Sequence, residues 1–236
     1  MSATEPGARE ALRRQPMLIG GEWVWAASGE SIQVENPGRR TVIAEVPRGA
    51  GADVDRAVEA AGAAFATWRK VAPVERGRML LRIADEIDRR KEELARAIAE
   101  ETGNALRTQA RPEVQIAATM FRYFGGLAGE LKGETLPLGH DLLSFTQREP
   151  LGVVAAVIPW NAPLMLASVK IAPALCAGNT MVMKTAEDAP LAVLLLAEIC
   201  QNHLPTGVLN MLSGTGPECG APLLHHPEVA KLSFTG

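Results

Sequence analysis

Apolar residues recur along this chain with two different periods, and the balance between them shifts near the middle. Residues 17–47, MLIGGEWVWAASGESIQVENPGRRTVIAEVP, carry short alternating runs divided by Gly-Gly, Ser-Gly and Asn-Pro-Gly, which predicts a β-ribbon. Beyond it Val54, Val58, Ala61, Phe65 and Trp68 return at helical spacing, with Asp53 as the N-cap. A second helix is predicted from Pro73 to Thr102: Leu80, Ile83, Ile87, Leu94 and Ile98 share one side, and Gly103 supplies the stop. A third helical stretch covers 112–131, weakened locally by its glycine pair.

The pattern then changes. Residues 136–152, LPLGHDLLSFTQREPLG, read as a β-hairpin or an exposed arm. From there short continuous apolar runs (GVVAAVIP, NTMVMK, GVLNML, VAKLSF) alternate with helical ones (LMLASVKIAPALCAG, PLAVLLLAEICQNH, PECGAPLLHH). Continuous apolar strands alternating with helices predict a parallel sheet covered on both faces. The expected fold class is therefore α/β: an incomplete, Rossmann-like open parallel sheet preceded by a β-ribbon and a helical region. A sheet that stops at its fourth parallel strand is expected to leave an apolar edge bare.

In open parallel sheets ligands lie beyond the carboxyl ends of the strands. Here those ends coincide with PWNAP, KTAE, SGTGPECG and TG, four unusual patches in register. They point to a nucleotide-sized ligand across the sheet edge.

Composition narrows the classes. A chain of 236 residues buries roughly 70–75% of its unfolded surface, enough for a real core. A net charge of -3 gives no basic footprint for nucleic acid, and the mixed run DRRKEE (88–93) reads as a solvated helix face. No uninterrupted apolar stretch is long enough to predict a membrane span. The opening MSATEPGAREALRRQP carries acids and no apolar core, so no secretory leader is expected there. Cys176, Cys200 and Cys219 are too scattered for a disulfide framework or a metal site, and the adjacent His225 and His226 point to different faces, so no metal centre is expected. The expected compartment is the reducing cytoplasm.

Individual motifs carry unequal weight. Gly214, Gly216 and Gly220 are spaced G-x-G-x-x-x-G, one residue longer than the usual dinucleotide loop. Lys184 and Glu187 follow a strand; a carboxylate there can bond a ribose diol, whereas a plain surface pair contributes at most about 1 kcal/mol. Asn161 stands between Pro159 and Pro163, which restrict the backbone on both sides. Its amide suits an oxyanion donor, whose loss costs on the order of 3–4 kcal/mol in a barrier; alternatively it bonds its own turn.

Together IPWNAPL, PALCAGNTMVMKTAEDAP, GVLNMLSGTGPECG and VAKLSFTG resemble the aldehyde dehydrogenase superfamily. GGEWV, ENPG, ERGRMLLRIADEI and RYFGGLAGE resemble that family's amino-terminal region, so the likeness covers nearly the whole chain in order. It departs at Asn104, where the family often has lysine after ETG.

The resemblance implies oxidation of an aldehyde substrate to a carboxylic acid through a cysteine thiohemiacetal, with hydride passing to NAD or NADP. It implies that Asn161 contributes to the oxyanion hole and that Ile158, Pro159 and Trp160, backbone and side chain, line the cofactor cleft. Lys184 and Glu187 would bind the adenosine ribose, Gly216 and Pro217 would lie beside the adenine, and Gly236 would begin the turn under the pyrophosphate. Lys170 matches a lysine linked to proton relay. Residues 1–133 would pack on the cofactor domain, 134–150 would form an oligomerisation arm used in homo-oligomers, and 151–236 would form the cofactor-binding core.

The family's nucleophilic cysteine and general-base glutamate lie further along than residue 236, and none of the three cysteines here matches the nucleophile. The expectation is an amino-terminal part of an NAD(P)-dependent aldehyde dehydrogenase, inactive alone; the alternative is a stand-alone, catalytically dead remnant that acts, if at all, as a protein-interaction partner. Glu187 favours NAD over NADP, since a carboxylate there would repel a 2′-phosphate.

Overall fold

A computed structural model describes residues 12–236. The reading of the opening segment as lacking a leader falls mostly outside them. In chain order the strands and helices are β1 (Arg13–Arg14), β2 (Met17–Ile19), β3 (Glu22–Val24), β4 (Ser31–Asn36), β5 (Thr41–Pro47), α1 (Gly51–Trp68), α2 (Pro73–Arg89), α3 (Lys91–Thr102) and α4 (Arg111–Leu127). There follow β6 (Thr135–Leu136), β7 (Ser144–Phe145), β8 (Val153–Val157), α5 (Pro163–Cys176), β9 (Thr180–Lys184), α6 (Leu191–Gln201), β10 (Leu209–Leu212), α7 (Ala221–His225) and β11 (Val229–Phe234).

The class is mixed α/β with a largely parallel sheet, as the alternation predicts. Six strands lie in the order β11-β8-β9-β10-β2-β3, and the first four are mutually parallel. Strand alternation divides the core in two. Val154, Ala156, Met181 and Met183 face one apolar cluster with α2, α4, α5 and α6. Val153, Ala155 and Val182 face the other, with Val54, Val58 and Ala61 of α1. Both faces are buried, which is why these strands are continuously apolar rather than alternating.

Three expectations need correction. Residues 17–47 are not one ribbon. The β2–β3 hairpin pairs antiparallel with β10 through Leu18 and Met211, while β4 and β5 form a separate sheet with β1. The hairpin turns through Gly20 and Gly21, both at positive φ as such a tight turn requires. The buried Asn210 of β10 docks it by accepting the Gly20 N–H at 2.7 Å. The parallel edge at β10 is therefore covered, whereas the edge at β11, the fourth parallel strand, is bare as expected.

The helix expected over 73–102 is two helices. The break is at Arg90, with φ -99° and ψ 16°. Its guanidinium bonds Glu93 at 2.7 and 2.8 Å and Glu198 of α6 at 3.0 Å. That tertiary anchor leaves no mark on the apolar period.

Asp53 is not the N-cap of α1 but its third residue. From there its carboxylate reaches back to the Ala50 N–H and across to the Ala27 N–H, both at 3.1 Å. The remaining expectations match the elements closely. Gly103 ends α3 at φ 77°. The 136–152 segment contains β7 and, with Thr135–Leu136, makes the two-stranded β6–β7 hairpin. The 112–131 helix begins at Arg111 after a π-turn over Leu106–Ala110.

Helices α2 and α4 meet through glycines. A Cβ at Gly77 would lie 2.4 Å from the Gly125 carbonyl oxygen, whereas one on Gly62 of α1 meets nothing within 4 Å. Alanine in a helix interior normally gains ~0.8–1 kcal/mol over glycine. Gly62→Ala should therefore stabilise the chain by about that much in urea unfolding. Gly77→Ala should destabilise it, because the clash with backbone outweighs the propensity gain. Equal effects from both substitutions would rule out the close crossing.

Candidate functional site

The registers Val157↔Lys184, Lys184↔Leu212 and Phe234↔Val157 align the carboxyl ends of all four parallel strands. The segments that leave them start at one edge of the sheet, where the sequence places its four unusual patches.

The first segment carries Asn161. Trp160 is 56% exposed and Asn161 is exposed beside it, ahead of Pro163 at the start of α5. The Asn161 carbonyl accepts a bond from Asn104 Nδ2 at 3.1 Å. Ile158 differs from the expectation. Its side chain is 2% exposed and belongs to the core, which leaves only its backbone at the edge. Pro159 is half-buried.

The second and third segments meet. Lys184 Nζ donates to Glu187 Oε2 at 2.7 Å. Lys184 is 3% exposed while Glu187 is half-exposed, so the lysine lies under the carboxylate. Burial would push the Glu187 pKa up, but bonds from Lys184 and from the backbone amides of Glu187 and Gly216 bring it below its ordinary value. Glu187 thus keeps its charge, and it lies beside the Gly216 backbone of the next loop. Pro217 is exposed, and a Cβ on Gly216 would meet nothing within 4 Å.

The long glycine spacing has a local cause. Residues Gly216–Gly220 form a π-turn in which the Gly220 N–H reaches the Thr215 carbonyl five residues back, at 3.2 Å. A π-turn accommodates one more residue than an α-turn, which matches the one extra position in G-x-G-x-x-x-G.

Sequence reasoning missed what anchors that loop. Arg48 grips Glu218 bidentately, at 2.8 and 2.9 Å, and Gly49 lies so close that a Cβ would fall 2.5 Å from the Ser213 carbonyl oxygen. The Arg48 and Glu218 positions are 170 residues apart, and nothing local to either marks the pair. Gly236 sits at the carboxyl end of β11, following Thr235, whose N–H donates to the Val157 carbonyl at 3.1 Å.

Lys170 is not brought to this cluster. It is buried on α5, donates to Ser233 Oγ at 2.9 Å, and lines a different cavity of about 660 Å3 between α5 and β11. Desolvation there lowers its pKa.

None of the three cysteines lies exposed at the sheet edge. All are buried and unpaired. Burial pushes the Cys176 and Cys200 thiols up, and the Cys219 thiol up to about 12.

A ligand that matches this edge is long, since the segments span four strands, and offers hydroxyls to one charged carboxylate.

A family model described as "Aldehyde dehydrogenase family" matches residues 23–236. Phenylacetaldehyde dehydrogenase of Pseudomonas fluorescens is 46% identical over 229 residues, which is 93% of this chain and 46% of that protein. Fluoroacetaldehyde dehydrogenase of Streptantibioticus cattleyicolor is 40% identical, covering 98% of this chain and 46% of its own length. The solved NAD+ complex of an aldehyde dehydrogenase from Bacillus cereus superposes with a TM-score of 0.93 at 36% identity, over 95% of this chain and 46% of that one. The chain thus spans about half the length of the curated relatives it matches.

Burial and raised pKa values predict unreactive thiols. Ellman's reagent at pH 7.5 should label none of the three cysteines within minutes in the folded chain, and all three after unfolding in guanidinium. Rapid labelling of one thiol in the native state would show that its burial is wrong.

Proposed function

The chain belongs to the aldehyde dehydrogenase family, and we propose that it builds the dinucleotide site of an NAD-dependent enzyme that oxidises an aldehyde to a carboxylic acid. The observation that supports this most is the Lys184–Glu187–Gly216 cluster at the aligned strand ends. NAD, when bound, supplies the hydride acceptor. Glu187 accepts the hydroxyls of the adenosine ribose, and Lys184 beneath it holds the carboxylate in place and charged. Gly216 and Pro217 leave room for the adenine, Gly236 begins the turn at the pyrophosphate, and the backbone of Ile158, Pro159 and Trp160 lines the cleft. Asn161 offers its amide N–H to the carbonyl oxygen of the aldehyde as negative charge gathers there. The proton carriage that the resemblance implies for Lys170 would need a path from the separate cavity it lines, where it donates to Ser233 Oγ.

The reacting thiolate comes from outside residues 12–236, because each cysteine within them is buried. The β6–β7 hairpin, with Leu138, Leu142, Leu143 and Phe145 exposed, is the surface on which a second copy would pack. The same exposed arm favours the second reading, an interaction module without catalysis. Unpaired cysteines suit a reducing cytoplasm.

Residues 1–236 alone should produce no NADH from aliphatic or aromatic aldehydes above a no-enzyme blank. Turnover abolished by a thiol reagent would overturn the assignment of the nucleophile.

Calorimetry of the chain with each cofactor tests the ribose assignment. NAD should bind more tightly than NADP, and Glu187→Gln should weaken NAD by on the order of tenfold, the loss of a charged hydrogen bond. A ratio that Glu187→Gln leaves unchanged would remove Glu187 from the ribose site. Absence of NAD binding would favour the interaction module.

A further inference from the structure

Helices α5 and α6 begin directly after the segments that carry Asn161 and Glu187, and neither supplies its own cap. The residues at their N-cap positions are Ala162 and Pro190, which make no side-chain cap bond. The first N–H groups of a helix have no partner inside it, and here they lie in a buried layer.

The partners come from far along the chain. Glu113, in the first turn of α4, accepts the Leu164 and Met165 N–H groups at 2.8 and 3.2 Å. Glu101, in the last turn of α3, accepts the Leu191 and Ala192 N–H groups at 2.5 and 3.0 Å. These donors lie in the first turns of α5 and α6, where an N-cap side chain would bond. The two glutamates are 6% and 3% exposed, positions where an apolar residue would pack without desolvating a carboxylate. A carboxylate suits the place because both oxygens only accept and a helix N-terminus favours negative charge.

We propose that Glu113 and Glu101 are positioning residues: each carboxylate supplies the N-cap that α5 or α6 lacks, and so sets how residues 158–162 and 185–190 leave the sheet edge. That these loops serve a cofactor rests on the function proposed above. Asn104, between the two glutamates, adds a third hold through its bond to the Asn161 carbonyl.

Residue-resolved amide hydrogen exchange on the 236-residue chain tests the caps. In Glu113→Ala the Leu164 and Met165 amides should exchange roughly tenfold faster, the effect of losing an N-cap. Residues 160–162 should follow, while the β9 amides keep their wild-type rates. Glu101→Ala should act in the same way at Leu191 and Ala192, and not at Leu164. Glu113→Gln keeps an oxygen that can accept both N–H groups, as Oε1 of Glu113 does, but carries no charge; it should fall between wild type and Glu113→Ala, and it decides the matter if the alanine variant fails to fold.

Unchanged exchange at the capped amides, or a rise shared by β9, would overturn the proposal. Titration with NAD separates the two readings. If wild type binds, about tenfold weaker binding by Glu113→Ala supports positioning, and unchanged affinity beside a loosened loop overturns it. If wild type does not bind NAD, the cofactor reading fails and the exchange pattern alone decides the caps.

Discussion

A parallel strand covered on both faces has no side left for polar chemistry. In β8 and β9 every side chain but that of Val157 is buried, so the chain can present a functional group only where a strand stops. The parallel register then places all four stops at one edge. Along β8 and β9 no other position is available. Lys184 shows the limit: as the last residue of β9 it is still buried, and its ammonium reaches outward only as far as Glu187.

Loops that leave such an edge have few contacts of their own, and three of the four are held from elsewhere. The loop after β10 is tied by Arg48 to Glu218 and by the close approach of Gly49 to Ser213. Those after β8 and β9 are followed by helices whose first turns bond Glu113 and Glu101. Burial pushes the Glu101 pKa up to about 8, against the backbone bonds from Ala192 and Leu191 that pull it down. The ribbon and helices that precede the arm thus do more than cover the sheet: they set the geometry of its working edge.

The same dependence explains the hairpin. A bare parallel edge at β10 would invite pairing with another chain; β2 closes it, and Asn210 holds the turn. The edge at β11 remains, with exposed residues along it and the cavity of about 660 Å3 beside it that Lys170 lines.

Local residue order by itself determined the alternation of strands and helices from 151 onward, the four strand ends and the Lys184–Glu187 pair, because each rests on contacts within a few residues. It also marked the longer glycine spacing, though not the π-turn that absorbs it. Tertiary structure alone decided where the 17–24 hairpin pairs, that α2 stops at Arg90, that Ile158 turns inward, and that Lys170 faces a separate cavity. It alone brought Glu101, Glu113 and Arg48 to the working edge. The physical reason is the same throughout. Periodicity reports which face of an element is buried, but the choice of a partner 51 to 190 residues away is made by packing, and leaves no trace in the spacing of either residue.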